Sequence, residues 1–171
     1  MAYDDHITAE QRALIEQSKI FFVASVDPAV ADGPAGQGPV NLSPKGGTPL
    51  HVLDDRRVAY LDYRGSGNET ARHAEAGGPV TLMVMAMEAG DAAIVRLYGH
   101  ARVLPLEGSA LAELVTGQPA PDLELPQRQV IEVAVERTQT SCGYGVPVFE
   151  YAGERVRAQR GRRFKEPLSR G

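Results

Sequence analysis

Residues 57–87 read RVAYLDYRGSGNETARHAEAGGPVTLMVMAM, and they hold the alternation, the turn and the stop signals on which the fold depends. Arg57 to Asp62 alternates, with Val58, Tyr60 and Asp62 on one face and Ala59 and Leu61 on the other, which is the period of a strand. The break RGSGN follows, and residues 69–76 (ETARHAEA) favour a helix that Gly77-Gly78-Pro79 stops. Val80 to Met87 is apolar on both faces, so it reads as a central strand rather than an edge.

Working outward toward the N-terminus, Leu50 to Leu53 reads as a strand before an Asp54-Asp55 turn, and Val40 to Ser43 as a short one. Residues 27–39 are rich in Gly and Pro and form a surface loop. Ile20 to Val26 (IFFVASV) is a β-rich run, and residues 9–18 an amphipathic helix opened by Thr8 and Gln11 at capping-box spacing. Toward the C-terminus, Ala93 to Leu104 is a long strand bent or bulged near Gly99, and residues 107–116 a second amphipathic helix. The Pro-rich link QPAPDLELPQ leads to a strand over Val130 to Val135, and Val146 to Tyr151 is the last expected element. Six or seven short strands with few helices do not alternate as βαβ units; they fit an antiparallel barrel or sandwich whose ends are covered by helices.

The chain has 171 residues, 18 Lys plus Arg, 22 Asp plus Glu, one Cys and no Trp. That length suits one domain over residues 1–154, followed by a basic tail over 155–171. The tail carries a local charge of +6 and the rest −10, so the net −4 excludes a globally basic nucleic-acid binder. No recognition helix or stacking platform is visible, and no nucleic-acid partner is expected. The first twenty residues lack a basic start and an apolar run, and the longest apolar stretch is eight residues, so neither a signal peptide nor a membrane span is expected. A cytoplasmic location is the resulting expectation. CxxC, HxH and HExxH are absent, which disfavours a zinc or iron site.

Three segments carry candidate chemistry. In the 64–69 turn, Ser66 stands three before Glu69 and could cap the helix, while Gly65 and Gly67 allow close backbone approach and Arg64 adds a cation. These features make an anion site; a plain capped strand–turn–helix uses the same residues, and on local grounds both readings stand. Lys45 lies in a Pro-Lys-Gly-Gly turn, one of only three Lys in a chain that otherwise uses Arg, and a retained Lys suits a phosphate point charge. TSCGYGVP (140–147) holds the only Cys, with no His or Asp at triad spacing, so a structural thiol is the better reading. Arg96 and Tyr98 share one strand face, opposite Val95 and Leu97.

Taken in order, VNLSPKGG, YLDYRGSGNETARH, VTLMVMAM, IVRLYGHARVL and SCGYGVP resemble the pyridoxamine 5′-phosphate oxidase-like family of flavin-binding split barrels, over about residues 15–150. The resemblance implies a six-stranded antiparallel split barrel and a homodimer with FMN held non-covalently at the interface. By position, Lys45, Ser66 and Asn68 match the residues that hold the FMN phosphate. Gly67 stands where many members place Arg, a charge that Arg64 would then supply. Val40, Asn41, Leu42 and Ser43 match the strand along the isoalloxazine, Leu61 and Asp62 its neighbour, and Cys142 and Tyr144 lie more loosely near the ring. The family's best-known member grips its substrate with a C-terminal Trp segment and an Arg/His pair; this chain has no Trp, and its tail has no matching His. The resemblance therefore implies an FMN-dependent oxidoreductase acting on a small organic molecule, and these departures disfavour the substrate of the best-known member. The alternatives are a non-catalytic flavin-binding or electron-carrying protein, and a deazaflavin- or haem-binding split barrel. Such an enzyme needs no side-chain catalyst, because the flavin performs the redox step itself.

Overall fold

A computed structural model describes residues 2–30, 38–65, 67–117, 125–156 and 159. Its elements are α1 (Ala9–Gln17), β1 (Ile20–Val26), β2 (Val40–Gly46), β3 (His51–Val52), β4 (Arg57–Tyr63), α2 (Glu69–Glu75), β5 (Pro79–Met85), β6 (Ala93–Pro105), α3 (Ala112–Thr116) and β7 (Gln127–Cys142). All strand pairs are antiparallel, in one sheet of order β2-β1-β5-β6-β7-β4-β3. The mainly β, split-barrel expectation is borne out; the described strands number seven rather than six because the two-residue β3 hangs on β4.

The β6–β7 ladder is the spine, with Ala93 opposite Cys142 at one end and Pro105 opposite Gln129 at the other. β5 pairs with the first half of β6 and β4 with the first half of β7, so the two long strands carry the two halves of the sheet. The expected irregularity at Gly99 is present as a register shift between Tyr98 and Gly99. A Cβ on Gly99 would overlap the carbonyl of Ala134, so glycine alone allows the two backbones this close. β7 runs through Cys142, past the predicted end at Val135. Its second half is polar outside but buries Thr138 and pairs with β6, and long-range pairing outweighs the local loss of apolar residues.

Inward side chains of every strand from β1 to β7 except β2 and β3 form the main core, among them Phe21, Val23, Tyr60, Leu82, Leu97 and Val133. α1 closes one end through Ile15, and its capping box is formed: the Gln11 N–H donates to Thr8 Oγ1, and the Thr8 N–H to Gln11 Oε1. A second cluster, Ala59, Leu61, Val115 and Val130, lies on the other face of β4. β4 is therefore buried on both faces, the alternation read from its sequence sorting Val58 and Tyr60 into one cluster and Ala59 and Leu61 into the other.

Three expectations are corrected. The helix over 107–116 shrinks to Ala112–Thr116, because Gly108 takes φ +77° and Ser109 Oγ accepts the Leu111 N–H, which fold the preceding residues into turns. Val146 to Tyr151 is not a strand; Pro147 lacks a donor, and the Phe149 N–H donates to the Met87 carbonyl, which lies past the end of β5, outside the ladder. Val40–Ser43 extends to Gly46, so Lys45 sits in a strand rather than a turn. β2 is an edge strand, which tolerates the missing N–H of Pro44. Much of the 27–39 loop, the Pro-rich link and the basic tail fall outside the described residues. No helix among those described is long and apolar enough to cross a membrane.

Candidate functional site

β2 alternates with its exposed residues Val40, Leu42, Pro44 and Gly46 on one face, which leaves Asn41, Ser43 and Lys45 on the other, half-buried. Lys45 stands opposite Phe21, whose side chain is in the core, so its stem runs inward. There Lys45 Nζ lies 2.9 Å from Asp62 Oδ1 of β4, and the Tyr63 hydroxyl donates to the Gly47 carbonyl at 3.2 Å. β2 and β4 are far apart in the sheet order, so these contacts cross the seam where the curled sheet meets itself without pairing. That seam opens into a cleft of about 380 Å³ lined by Ser43, Pro44, Lys45, Asp62, Tyr63, Gly65 and residues 67–71.

Asp62 is the electrostatic centre of the cleft. Its side chain is 10% exposed, its Oδ1 takes Lys45, and its Oδ2 accepts from Gln129 Nε2 at 3.0 Å. Arg128 Nη1 stands 3.8 Å from the same Oδ2. Arg128 also clamps the turn after β4, donating to the Gly67 carbonyl at 3.0 Å, the Gly65 carbonyl at 3.4 Å and Asn68 Oδ1 at 2.6 Å. Gln129 donates to that Asn68 oxygen as well, at 3.1 Å. With its oxygen committed to β7, Asn68 is the N-cap of α2 by position but makes no capping bond. The cap position thus belongs to Asn68 and not, as expected, to Ser66, which lies outside the described residues.

Beneath the cleft the Tyr60 ring meets Phe21 edge to face, centroids 5.1 Å apart, and Lys45 Nζ sits 5.7 Å from the Tyr60 centroid. The Tyr60 hydroxyl is buried without a partner among the described residues. Burial, and then the charge of Asp62, raise its pKa well above the usual 10.

Of the residues singled out from sequence, Ser43, Lys45, Asp62, Gly67 and Asn68 line this one cleft. Asn41 lies behind it, holding Ser43 and Thr70. Leu61 points to the second cluster, so only its backbone faces the strand's neighbours. Val40 and Leu42 are 65% and 68% exposed on the outer face of β2. Arg64 is exposed and does not line the cleft; the cation at the turn is Arg128. Cys142 ends β7 with an exposed thiol that accepts the Tyr144 N–H, and Tyr144 is 90% exposed; neither reaches the cleft. Arg128, Gln129 and Thr70 escaped the sequence reading. The first two fell between the Pro-rich link, which ends at Gln127, and the strand, because the apolar alternation begins only at Val130.

A second cleft of similar volume opens between α1, the end of β5 and residues 149–151. Its floor is apolar, and its charges, Lys19 against Glu88, Asp91 and Glu150, sum to a negative field that opposes a phosphate. The seam cleft sets Lys45, with Arg128 at its turn, against Asp62 and Glu69, a balanced set beside the net negative one of the second cleft, and it is the candidate site for an anionic ligand.

Residues 7–142 match the family model described as Pyridoxamine 5′-phosphate oxidase. A curated relative, the pyridoxamine 5′-phosphate oxidase family protein ustO of Aspergillus flavus, is 34% identical over 113 residues, which is 65% of this chain and 45% of that protein. The chain thus spans less than half the length of that relative. HupZ of Group A Streptococcus superposes with a TM-score of 0.55 at 23% identity, over 77% of this chain and 91% of that one. An FMN-binding protein from Syntrophomonas wolfei superposes with a TM-score of 0.57 at 12% identity, over 75% and 82%. These two likenesses concern the fold alone.

Proposed function

The chain belongs to the pyridoxamine 5′-phosphate oxidase family, and from that premise we propose that it binds FMN at the β2–β4 seam and serves as a flavin-dependent oxidoreductase for a small organic substrate. The observation that carries this reading is the donor set of the cleft. Lys45 spends one N–H on Asp62 and keeps the others, and the Asn68 amide, its oxygen held by Arg128 and Gln129, turns its NH₂ away from them. An ammonium and an amide N–H₂, with Arg128 fixing the turn between them, suit a phosphate oxygen set. The residues present fit the phosphate end of the flavin.

Bound FMN would supply hydride or electron transfer. The chain's own part is to hold and orient it. Lys45 neutralises phosphate charge, Asp62 fixes the ammonium at the seam, and Arg128 keeps the 65–68 turn from opening. The proposal includes a homodimer with FMN at its interface. Val40 and Leu42 expose apolar side chains on an edge strand, and the exposed Tyr144 is free to meet a second copy. Light scattering at the mass of one 18.4 kDa chain would remove this part of the proposal.

The test is a titration of the purified protein with FMN, read by visible absorbance and fluorescence quenching. Lys45→Ala should weaken FMN by about 1–3 kcal/mol, the value of a charged hydrogen bond. Riboflavin, which lacks the phosphate, should bind both forms alike. A protein that is colourless and ignores added FMN would reject the flavin reading, and a Soret band would replace it with haem. Reduction by a nicotinamide followed by turnover separates an enzyme from a carrier.

A further inference from the structure

His73, on α2, is 1% exposed and belongs to no part of the seam, yet a chain of hydrogen bonds leads from it to the cleft wall. Its Nε2 lies 3.1 Å from the Gly38 carbonyl oxygen. A carbonyl oxygen only accepts, so Nε2 carries the hydrogen. In the uncharged ring Nδ1 is then an acceptor, and its partner at 2.9 Å, the buried Ser25 hydroxyl, must donate to it. With its hydrogen spent, Ser25 Oγ can only accept from Asn41, at 3.4 Å, which requires the Asn41 NH₂ on that side. The same NH₂ donates to Thr70 Oγ1 at 3.1 Å. Asn41 Oδ1 is left to face Ser43, whose hydroxyl donates to it at 3.1 Å.

The Ser43 and Thr70 hydroxyls on the cleft wall therefore differ. Ser43 has given its only hydrogen to Asn41 and offers lone pairs, whereas Thr70 has accepted from Asn41 and keeps its hydrogen, with no other partner among the described residues. We propose that His73 is a positioning residue: held as the Nε2–H tautomer by Gly38, it makes Thr70 a hydrogen-bond donor and Ser43 an acceptor toward the bound ligand. Thr70 then joins Lys45 on the side that receives anionic oxygens, and Ser43 selects a ligand group that carries a hydrogen, such as a hydroxyl.

The ligand arm rests on the proposed FMN site, and the tautomer arm does not. Long-range proton–nitrogen correlation spectra of the wild-type protein should show His73 with hydrogen on Nε2 and a bare Nδ1. An Nδ1–H tautomer overturns the proposal whether or not FMN binds. In FMN titrations, Thr70→Val should weaken binding at least fivefold more than Ser43→Ala, with Thr70→Ser restoring it. Ser25→Ala cuts the link to His73 while Asn41 keeps Thr70, so the amide is free to turn over and release the Ser43 hydrogen. In that background the gap between the two effects should close. An unchanged gap in both backgrounds, or Ser43→Ala the costlier change in the wild type, overturns it. A role in packing alone would not make the two hydroxyls equivalent.

Discussion

Gly99→Ala is expected to destabilise the protein by about 3 kcal/mol, with a clear fall in the urea midpoint. The added methyl has no rotamer to escape into, and what it meets is backbone. The Ala134 carbonyl and the Val135 Cα lie directly against the position of the missing Cβ. Relief requires β6 and β7 to separate at the register shift, and that ladder is the longest in the sheet, holding β5 on one side and β4 on the other. His100→Ala is the control one residue away. His100 is exposed and its bond to Glu136 is a surface one, so that variant should stay within about 1 kcal/mol of the wild type. A Gly99→Ala protein as stable as the His100 variant would show that the two strands are not held this close.

Asp62→Ala should cost about 2–4 kcal/mol, more than Lys45→Ala. The asymmetry comes from who is left behind. Without Lys45, Asp62 still accepts from Gln129 and has Arg128 nearby. Without Asp62, an ammonium and a guanidinium with side chains only 21% and 17% exposed lose their shared anion together. Thermal denaturation of the two variants reads the order directly, and equal losses would mean that Asp62 is not the shared centre. On the proposed phosphate role, inorganic phosphate should raise the Tm of Asp62→Ala by more than it raises that of the wild type, since an external anion then takes the vacated place.

Most of the fold could be read along the chain because its signals are local. The Thr8–Gln11 cap, the alternation of Val58 to Leu61, the Gly77 stop and the Gly99 bulge each involve neighbours in sequence or a single special residue. The errors lie where pairing is decided at a distance. β7 continues through ERTQTSC because β6 lies beside it, and Val146 to Tyr151 fails as a strand because no ladder does. The same division runs through the cleft. Lys45, Asp62 and Asn68 drew notice from glycine-rich motifs matched to a family. Arg128 reaches residues about 60 positions earlier, and His73 acts on Ser43 through β1 and β2. No spacing rule connects such pairs. The pairing of β7 with β4 and of β1 with β2 does so, and the curl of the sheet then sets the two groups facing each other through Lys45 and Asp62.

The double burial of β4 has a consequence for folding fidelity. In a sheet with one wet face, a slip of one residue turns apolar side chains into water and is rejected by that penalty alone. β4 offers no such penalty, because Val58 and Tyr60 would trade places with Ala59 and Leu61 between two oily compartments. Rejection of the misaligned barrel falls to features that cannot be shifted by one: the bulge between Asp62 and Tyr63, and the ion pair across the seam. A slipped β4 would present Leu61 or Tyr63 to Lys45 in place of a carboxylate. The charge pair at the proposed cofactor site thus also serves as a proofreading contact for the strand beneath it.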